Sequence, residues 1–296
     1  MCGMLAIINI IIALLVPAAP FGFAQGGQAP ADRPAVTVGG QTYTPASILA
    51  RNMGSAEDQE TAFPPHKIVG NIYYVGTRTL SSFLVATPAG HILVDTTYER
   101  NAPVIRKSVE QLGFKFSDIR IILGNHAHGD HQEGDALVKQ MTGAQVMAMA
   151  EDIPALAAIM PGGKTHPVDR ILHDGDTIAL GGATLVAHLT AGHTRGATTF
   201  TMKVQDAGRT YDVVLFSSLR SPAQVTPSIA AEFDRTFPLV RRLPCDVPLG
   251  DHPGEYGMQA KHATLAAGAP NPFVDKANCF AEVDIQEAMY HAIIGR

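Results

Sequence analysis

Short apolar runs alternate with amphipathic stretches along most of the chain, and their spacing predicts a mixture of strands and helices. Residues 119–123 form a β-branched apolar run, which predicts a buried strand. Residues 104–112 carry apolar side chains at helical spacing, and Gly113 follows them as a typical helix terminator. Residues 82–95 predict a hairpin, because two strand-like runs flank a Pro-Ala-Gly turn. The first half is therefore predicted to begin with antiparallel strands and to continue with helices alternating with strands.

A second series of the same kind follows later in the chain. Residues 176–189 predict a hairpin around Gly181 and Gly182, and further strands, a helix, a strand and two helices follow, the last two near residues 255–267 and 273–294. The order of hairpins, helices and strands thus occurs twice, which favours an α/β fold with two packed sheets and helices outside. Residues 66–296 contain no linker or low-complexity array, and we expect them to form one domain.

The first 65 residues have a different composition. Residues 1–24 contain no charged side chain and hold an apolar run that ends in small residues, as is typical of a secretory signal peptide. No Lys or Arg precedes the run, so a retained anchor is the alternative. Residues 25–65 are predicted to be a flexible N-terminal segment. The expected location is periplasmic or secreted, without membrane attachment after cleavage of the signal.

Composition narrows the possible partners. The 296 residues are 46% hydrophobic and 17% charged, with a net charge of −5, so the chain can bury a full core. Acidic balance and dispersed basic residues give no reason to expect nucleic-acid binding. Cys245 and Cys279 remain once the signal is removed, and an even pair in an exported protein indicates a disulfide. Free buried thiols are the alternative.

The segment from Asn125 to His131 follows the strand predicted at 119–123 and contains three histidines and one aspartate. Imidazole nitrogens and carboxylate oxygens are ordinary zinc ligands, and burying them together without a partner would cost desolvation energy. His126 and His128 are two residues apart, so in an extended segment both can reach one ion. A histidine-rich, solvated loop without metal is the alternative.

Two further histidines stand at the ends of predicted strands. His193 lies between Gly192 and Thr194, and His252 precedes Pro253, which restrains the backbone. The remaining seven histidines lack such a context and are interpreted as surface or hydrogen-bonded core residues. Six donors on strand-end loops are enough for two zinc ions. These donors are His126, His128, Asp130, His131, His193 and His252.

The motif around His126, together with Ala-Gly-His-Thr at His193 and Asp-His-Pro at His252, resembles the signature of the metallo-β-lactamase superfamily. Over residues 66–294 the closer features are similar to subclass B3 metallo-β-lactamases. The resemblance implies a four-layer αββα sandwich and a Cys245–Cys279 disulfide. It also implies a first zinc site and a second one, formed by His126, His128 and His193 and by Asp130, His131 and His252, respectively.

Two positions separate this chain from relatives. Lactonases and thioester hydrolases of the superfamily place a metal-bridging Asp after the strand that follows the third histidine, and other β-lactamase subclasses place a Cys there. This chain has Ser217 and Ser218, so we expect His131 to complete the second site. Subclass B3 enzymes tend to have a second serine where this chain has Arg220. Arg220 could anchor a substrate carboxylate with Ser218 and Ser221, point into solvent, or crowd the second site.

These observations predict a zinc hydrolase that opens the β-lactam ring of penicillins, cephalosporins and carbapenems with a metal-bound hydroxide. Asp130 is expected to orient the nucleophile, so that no acyl-enzyme forms. The expected partner is a small-molecule β-lactam, and the expected state is a monomer. A lactonase or thioesterase is the alternative within enzymes, and a zinc-binding module is the alternative outside them.

Overall fold

A computed structural model describes residues 34–222, 224–266 and 270–296. The predicted signal peptide at residues 1–24 lies outside the described residues, as does the first part of the predicted flexible segment. Within the described ranges, no helix combines the length and apolar character needed to cross a membrane.

The segment predicted to be flexible is ordered from residue 34 onwards, which corrects that expectation. Strands β1 (Val36–Val38) and β2 (Gln41–Tyr43) form a small hairpin, and helix α1 (Pro45–Met53) follows. Thr44 caps the helix, because its side chain accepts a hydrogen bond from the backbone N–H of Ser47. The segment is ordered because its apolar side chains pack against the last helix of the chain.

The first large sheet has seven strands that lie side by side in chain order. Its first four strands are antiparallel, and from the fourth onwards neighbours are parallel. The strands are β3 (His66–Val69), β4 (Ile72–Tyr74), β5 (Phe83–Thr87), β6 (Gly90–Val94), β7 (Ile119–Leu123), β8 (Gln145–Met149) and β9 (Arg170–Leu172). The predicted hairpin and buried strand are therefore confirmed as β5, β6 and β7.

The second large sheet has five strands, also in chain order. Its first four strands are antiparallel, and the last one runs parallel to its neighbour. The strands are β10 (Thr177–Leu180), β11 (Ala183–Leu189), β12 (Thr198–Asp206), β13 (Arg209–Phe216) and β14 (Val247–Gly250).

Within the described ranges, seven further helices connect or cover these sheets. They are α2 (Ala102–Gln111), α3 (Gly129–Gln132), α4 (Asp135–Thr142), α5 (Ile153–Leu156), α6 (Pro227–Val240), α7 (Met258–Ala266) and α8 (Ala281–Ile294). The last helix was predicted from residue 273, but it begins at Ala281. The backbone N–H of Asp275 donates to the carbonyl of Asp246, and this tertiary hydrogen bond holds the preceding segment out of helical geometry.

The two sheets pack face to face and confirm the predicted αββα sandwich. Phe83 and Val85 on β5 face the second sheet, while Leu84 between them faces the helices α2 and α4, as the two-residue period of a strand requires. Phe233 and Tyr290, on α6 and α8, cover the opposite face of the second sheet. The core is thus buried in three apolar layers between the four layers of backbone.

Candidate metal centre

The predicted donors lie on loops at one edge of both sheets. β6 and β7 are parallel, so the loops after Val94 and Leu123 leave the same edge of the first sheet. β11, β13 and β14 run in one direction, so the loops after them also share an edge. The backbone N–H of Thr198 donates to the carbonyl of Asn125 at 2.8 Å and joins the two edges. Strand direction therefore brings donors together that are far apart in sequence.

The first donor set consists of His126, His128 and His193. Their ligand atoms lie within 4.8 Å of one another, and Nε2 of His126 lies 3.1 Å from Nδ1 of His128. Two nitrogens on one tetrahedral zinc ion would be about 3.3 Å apart, given zinc–nitrogen bonds of about 2.0–2.1 Å. The two histidines approach through a tight turn and not an extended segment, because the backbone N–H of His128 donates to the carbonyl of His126.

The second donor set consists of Asp130, His131 and His252. Asp130 and His131 lie on the single turn α3, directly after His128. Oδ2 of Asp130 lies 3.4 Å from Nε2 of His131 and 3.8 Å from Nε2 of His252. The structure thus brings all six predicted donors together in the two sets that the resemblance implies.

The other ring nitrogen of each buried histidine is held from behind. Nδ1 of His193 lies 2.7 Å from the carbonyl of Arg220, and Nδ1 of His252 lies 3.0 Å from the carbonyl of Thr79. Nδ1 of His131 lies 3.0 Å from Oδ2 of Asp95. Such contacts fix the ring orientation and leave Nε2 facing the other donors.

Three buried aspartates that the sequence interpretation did not single out support the loops. Asp95 accepts the backbone and side-chain N–H groups of Asn125 at 2.8 and 3.0 Å. Asp152 accepts the backbone N–H groups of Ala127 and Gly196 and so ties the first histidine loop to the third. Asp95 directly follows β6, and this strand-end position was the available signal for it in the sequence. Nothing local in the sequence indicates Asp152.

Asp251 lies behind both donor sets. Its Oδ2 is 3.3 Å from Nδ1 of His126 and accepts the backbone N–H of Ser218 at 2.7 Å. His126, His131 and Asp251 also form a compact group of possible ligands. Because the carboxylate already faces a histidine and an amide, we assign it a positioning role. Its place beside His252 was visible in the sequence.

The electrostatic environment differs between the two sets. Burial lowers the pKa of His126 to about 3 and that of His193 well below its ordinary value. Burial alone would lower the pKa of His131, but the carboxylates of Asp130 and Asp95 raise it well above its ordinary value. Burial likewise opposes ionisation of Asp130, while His131 and His252 hold its pKa well below the ordinary range. The surroundings of the first set therefore favour neutral rings, whereas the carboxylates around the second set favour positive charge beside them.

The residues present fit a metal. Neutral imidazoles and one carboxylate are the donors that zinc and similar ions accept. Among the described residues, Nε2 of His131 is a buried nitrogen without a hydrogen-bond partner, and leaving such an atom unpaired is costly. A cation held by Asp130, His131 and His252 would provide that partner.

The expected substrate-binding residues lie on the loop after β13. Ser217, Ser218 and Ser221 are buried, and Ser217 stands where relatives place a metal-bridging Asp or a Cys. Arg220 is half-buried, and the charge of its guanidinium contributes to the lowered pKa of His128 and His193 after burial and neighbouring groups. The guanidinium therefore lies within electrostatic range of the first set.

The remaining predicted positions lie outside the two donor sets. Cys245 and Cys279 form a disulfide with Cα atoms 6.1 Å apart, inside the apolar layer beneath α6 and α8. The seven other histidines are outside both donor sets. His166 is buried against Asp135, and His173 is exposed.

Comparison with known proteins places this geometry in context. Residues 75–207 match the family model described as the metallo-beta-lactamase superfamily. The chain is similar to the native FEZ-1 metallo-beta-lactamase from Legionella gormanii, with a TM-score of 0.76 and 39% identity over 79% of this chain and 97% of that one. It is also similar to the class B3 di-zinc metallo-beta-lactamase LRA-12 from an Alaskan soil metagenome, with a TM-score of 0.74 and 29% identity over 81% of this chain and 97% of that one.

A curated relative carries a different activity in its name. A hydroxyacylglutathione hydrolase from Hyphomonas neptunium is 32% identical over 123 residues, which are 42% of this chain and 42% of that protein. The chain therefore spans less than half the length of this curated relative.

Proposed function

Because the chain belongs to the metallo-β-lactamase superfamily, we propose that it is a two-zinc hydrolase that opens the amide bond of the β-lactam ring. The single observation that carries the proposal is the make-up of the second donor set. His131 joins Asp130 and His252 there, while Ser217 occupies the end of β13. Serine is a poor zinc ligand, so the second ion depends on His131 for its third protein donor.

Zinc held by such donors polarises a carbonyl oxygen and lowers the pKa of a bound water to about 7, so that a nucleophile is available at neutral pH. Asp130 is the residue placed to orient that water, because its carboxylate belongs to the second set and also lies within electrostatic range of His126 and His128. The low pKa of Asp130 keeps it ionised as a hydrogen-bond acceptor, although burial opposes this. Asp130 would take the proton released when the water attacks the carbonyl carbon and pass it to the amide nitrogen as the C–N bond breaks.

The loop after β13 is proposed to bind the acid group of the substrate. Arg220 lies within electrostatic range of His128 and His193, and a guanidinium can form two hydrogen bonds with a carboxylate. Ser218 and Ser221 lie on the same loop. A cationic anchor on this loop suits β-lactams, which carry a carboxylate beside the ring.

Thioester hydrolysis is the second candidate function. The observation in its favour is the likeness to a hydroxyacylglutathione hydrolase over 123 residues. Ser217, which directly follows β13, argues against thioester hydrolysis. By the family resemblance, thioester hydrolases of the superfamily have a metal-bridging aspartate at this position.

The experiment that tests the proposal is a side-by-side assay of one purified preparation. We expect two zinc ions per chain, hydrolysis of penicillin, cephalosporin or carbapenem, loss of that activity with a chelator, and recovery with zinc. A thioester kcat/KM far above that for every β-lactam would support the second candidate. Metal binding without turnover of any substrate would leave a zinc-binding module.

Export from the cytoplasm is part of the proposal. The uncharged residues 1–24 support it, and so does the Cys245–Cys279 disulfide, since disulfides persist in oxidising compartments. Fractionation of cells that express the full chain should recover the protein outside the cytoplasm with a shortened N-terminus.

A further inference from the structure

The short turn Pro253–Glu255, which directly follows His252, is packed against helix α1. A Cβ atom added at Gly254 would lie 2.8 Å from both Cγ and the backbone oxygen of Arg51, so the turn and the helix meet at backbone distance. Only glycine fits this contact without a shift of one element. The position of the His252 loop is therefore coupled to the position of the N-terminal helix.

Glu255 extends this contact to the backbone of His252. Its Oε1 accepts a hydrogen bond from Nδ2 of Asn52 at 2.8 Å, and Asn52 is only 3% exposed. Its Oε2 lies 3.5 Å from the backbone nitrogen of His252, which is a long contact. A Cβ at Gly250 would approach Oε2 to 2.6 Å, so the carboxylate is also wedged against the end of β14. Packing as well as hydrogen bonding thus holds the loop.

Helix α1 also touches the residue that orients the ring of His252. Nδ1 of His252 faces the carbonyl of Thr79 at 3.0 Å. A Cβ added at Gly54, where α1 ends with a φ of +56°, would lie 2.8 Å from Cγ2 of Thr79. The end of α1 therefore contacts Thr79, which orients the ring of His252. The last turn of α1 contacts Glu255, which lies against the backbone of His252.

The helix is itself fixed to the C-terminal part of the chain. Nη2 of Arg51 lies 2.6 Å from Oε1 of Glu282 on α8, and its Nε donates to Oδ1 of Asn52. Ile48 packs in the apolar cluster with Ile285 and Met289. These contacts hold α1 in place independently of the metal centre.

We propose that helix α1 is a positioning element for His252, acting through Asn52 and Glu255, and that it sets the affinity of the second metal ion selectively. The inference rests on the proposed pair of zinc ions. The side chains of His126 and His193 are held by other groups, namely Asp251, Ser217 and the carbonyl of Arg220, of which Asp251 also interacts with Glu255. Glu255 and Asn52 are therefore positioning residues and not ligands.

The test is a zinc titration of the full chain against a chromophoric chelator, which resolves the two binding steps without reference to activity. Groups behind metal ligands typically change metal affinity by about 10–100-fold. We expect Glu255→Gln to weaken the second step by at least about tenfold and Asn52→Ala by a smaller factor, with a smaller change in the first step than in the second. Asn52→Asp should weaken the second step more than Asn52→Ala, because it places an acceptor oxygen where the amide of Asn52 donates to Oε1 of Glu255.

Val109→Ala on α2 is the matched control, since it removes buried apolar contacts on the far side of the first sheet without touching α1, Glu255 or Thr79. We expect it to lower Tm while leaving both binding steps at the wild-type values. Equal weakening of both steps, or no change in Glu255→Gln and Asn52→Asp, would overturn the inference. Failure of the wild-type chain to bind a second ion would instead contradict the proposed two-zinc function, so the two failures are distinguishable.

Discussion

The two donor sets differ in charge and in the origin of their supports. The first set contains only histidines, and burial keeps them neutral. The second contains a carboxylate and a histidine whose pKa is raised despite burial, because Asp130 and Asp95 face it. The rings of the first set are held by loops at the end of the second sheet, whereas His252 of the second set depends on contacts with the N-terminal helix.

This difference teaches how one edge of a sandwich can hold two unlike sites. Neutral imidazoles need only orientation, and short loops from the packed sheets supply it. A buried carboxylate must also be compensated by positive charge and held against its desolvation cost, and more of the chain takes part in that. We therefore expect the first ion to bind more tightly and the second to respond to changes far from it.

The largest effect is expected from removal of one donor from each set. His193→Ala should lower kcat/KM by on the order of a thousandfold, which corresponds to about 4 kcal/mol of transition-state stabilisation. His252→Ala should lower it less, because Asp130 and His131 remain beside the intact first set. Kinetics with zinc in excess and circular dichroism of both variants provide the measurement. A greater loss for His252→Ala would reverse the assigned order of the sets.

The second largest effect concerns the aspartates behind the ligands. Asp95→Asn should weaken the second zinc step by about 10–100-fold, since it removes the charge behind His131. Asp251→Asn should act mainly on the first step through His126. Competitive zinc titration separates the two steps, and Asp206→Asn on the surface serves as the control. Loss of the same step in both variants would show that the supports are shared.

A smaller effect is expected at the substrate. Arg220→Ser should raise KM for a penicillin by roughly 10–100-fold with little change in kcat, as a hydrogen-bonded charge contributes about 1.5–3 kcal/mol. Arg209→Ser, in the hairpin between β12 and β13, is the matched control and should leave KM unchanged. An unchanged or lower KM in the Arg220 variant would assign the guanidinium to solvent or to crowding of the second site.

The smallest effect is expected at a buried pair behind the second set. Nε2 of His166 lies 3.2 Å from Oδ2 of Asp135 and 3.1 Å from the carbonyl of Gln132, beside His131. Burial alone would lower the pKa of His166, but the carboxylate of Asp135 raises it above its ordinary value. The pair therefore stabilises the fold fully below the unfolded pKa of about 6.5, and this stability is lost as pH rises through the higher folded pKa.

Urea unfolding of wild type and His166→Asn between pH 5 and pH 9 measures this contribution. The difference in free energy of unfolding should be largest at the acid end and should shrink as pH rises. A difference that grows with pH would contradict the assigned direction of the pKa shift.

Much of the fold follows from local pattern. The two-residue period of β5 and the apolar run of β7 predict strands, and the structure confirms them because both faces of the sheet are buried. The predicted start of the last helix was wrong because the backbone N–H of Asp275 donates to the carbonyl of Asp246, and this tertiary hydrogen bond competes with helix formation at residues 273–280. The prediction of a flexible N-terminal segment was wrong for a related reason, since the segment is ordered by packing against α8.

The sequence by itself determined which donors the chain offers and where they stand, because a strand and the side chains that follow it are encoded in adjacent residues. His126, His128, Asp130 and His131 needed no tertiary information to be singled out. The tertiary structure alone decided that Asp95, Asp152 and Asp251 stand behind the donors and that helix α1 supports His252. These contacts join segments that are remote in sequence, so they exist only once the sheets have packed and excluded water from the groups between them.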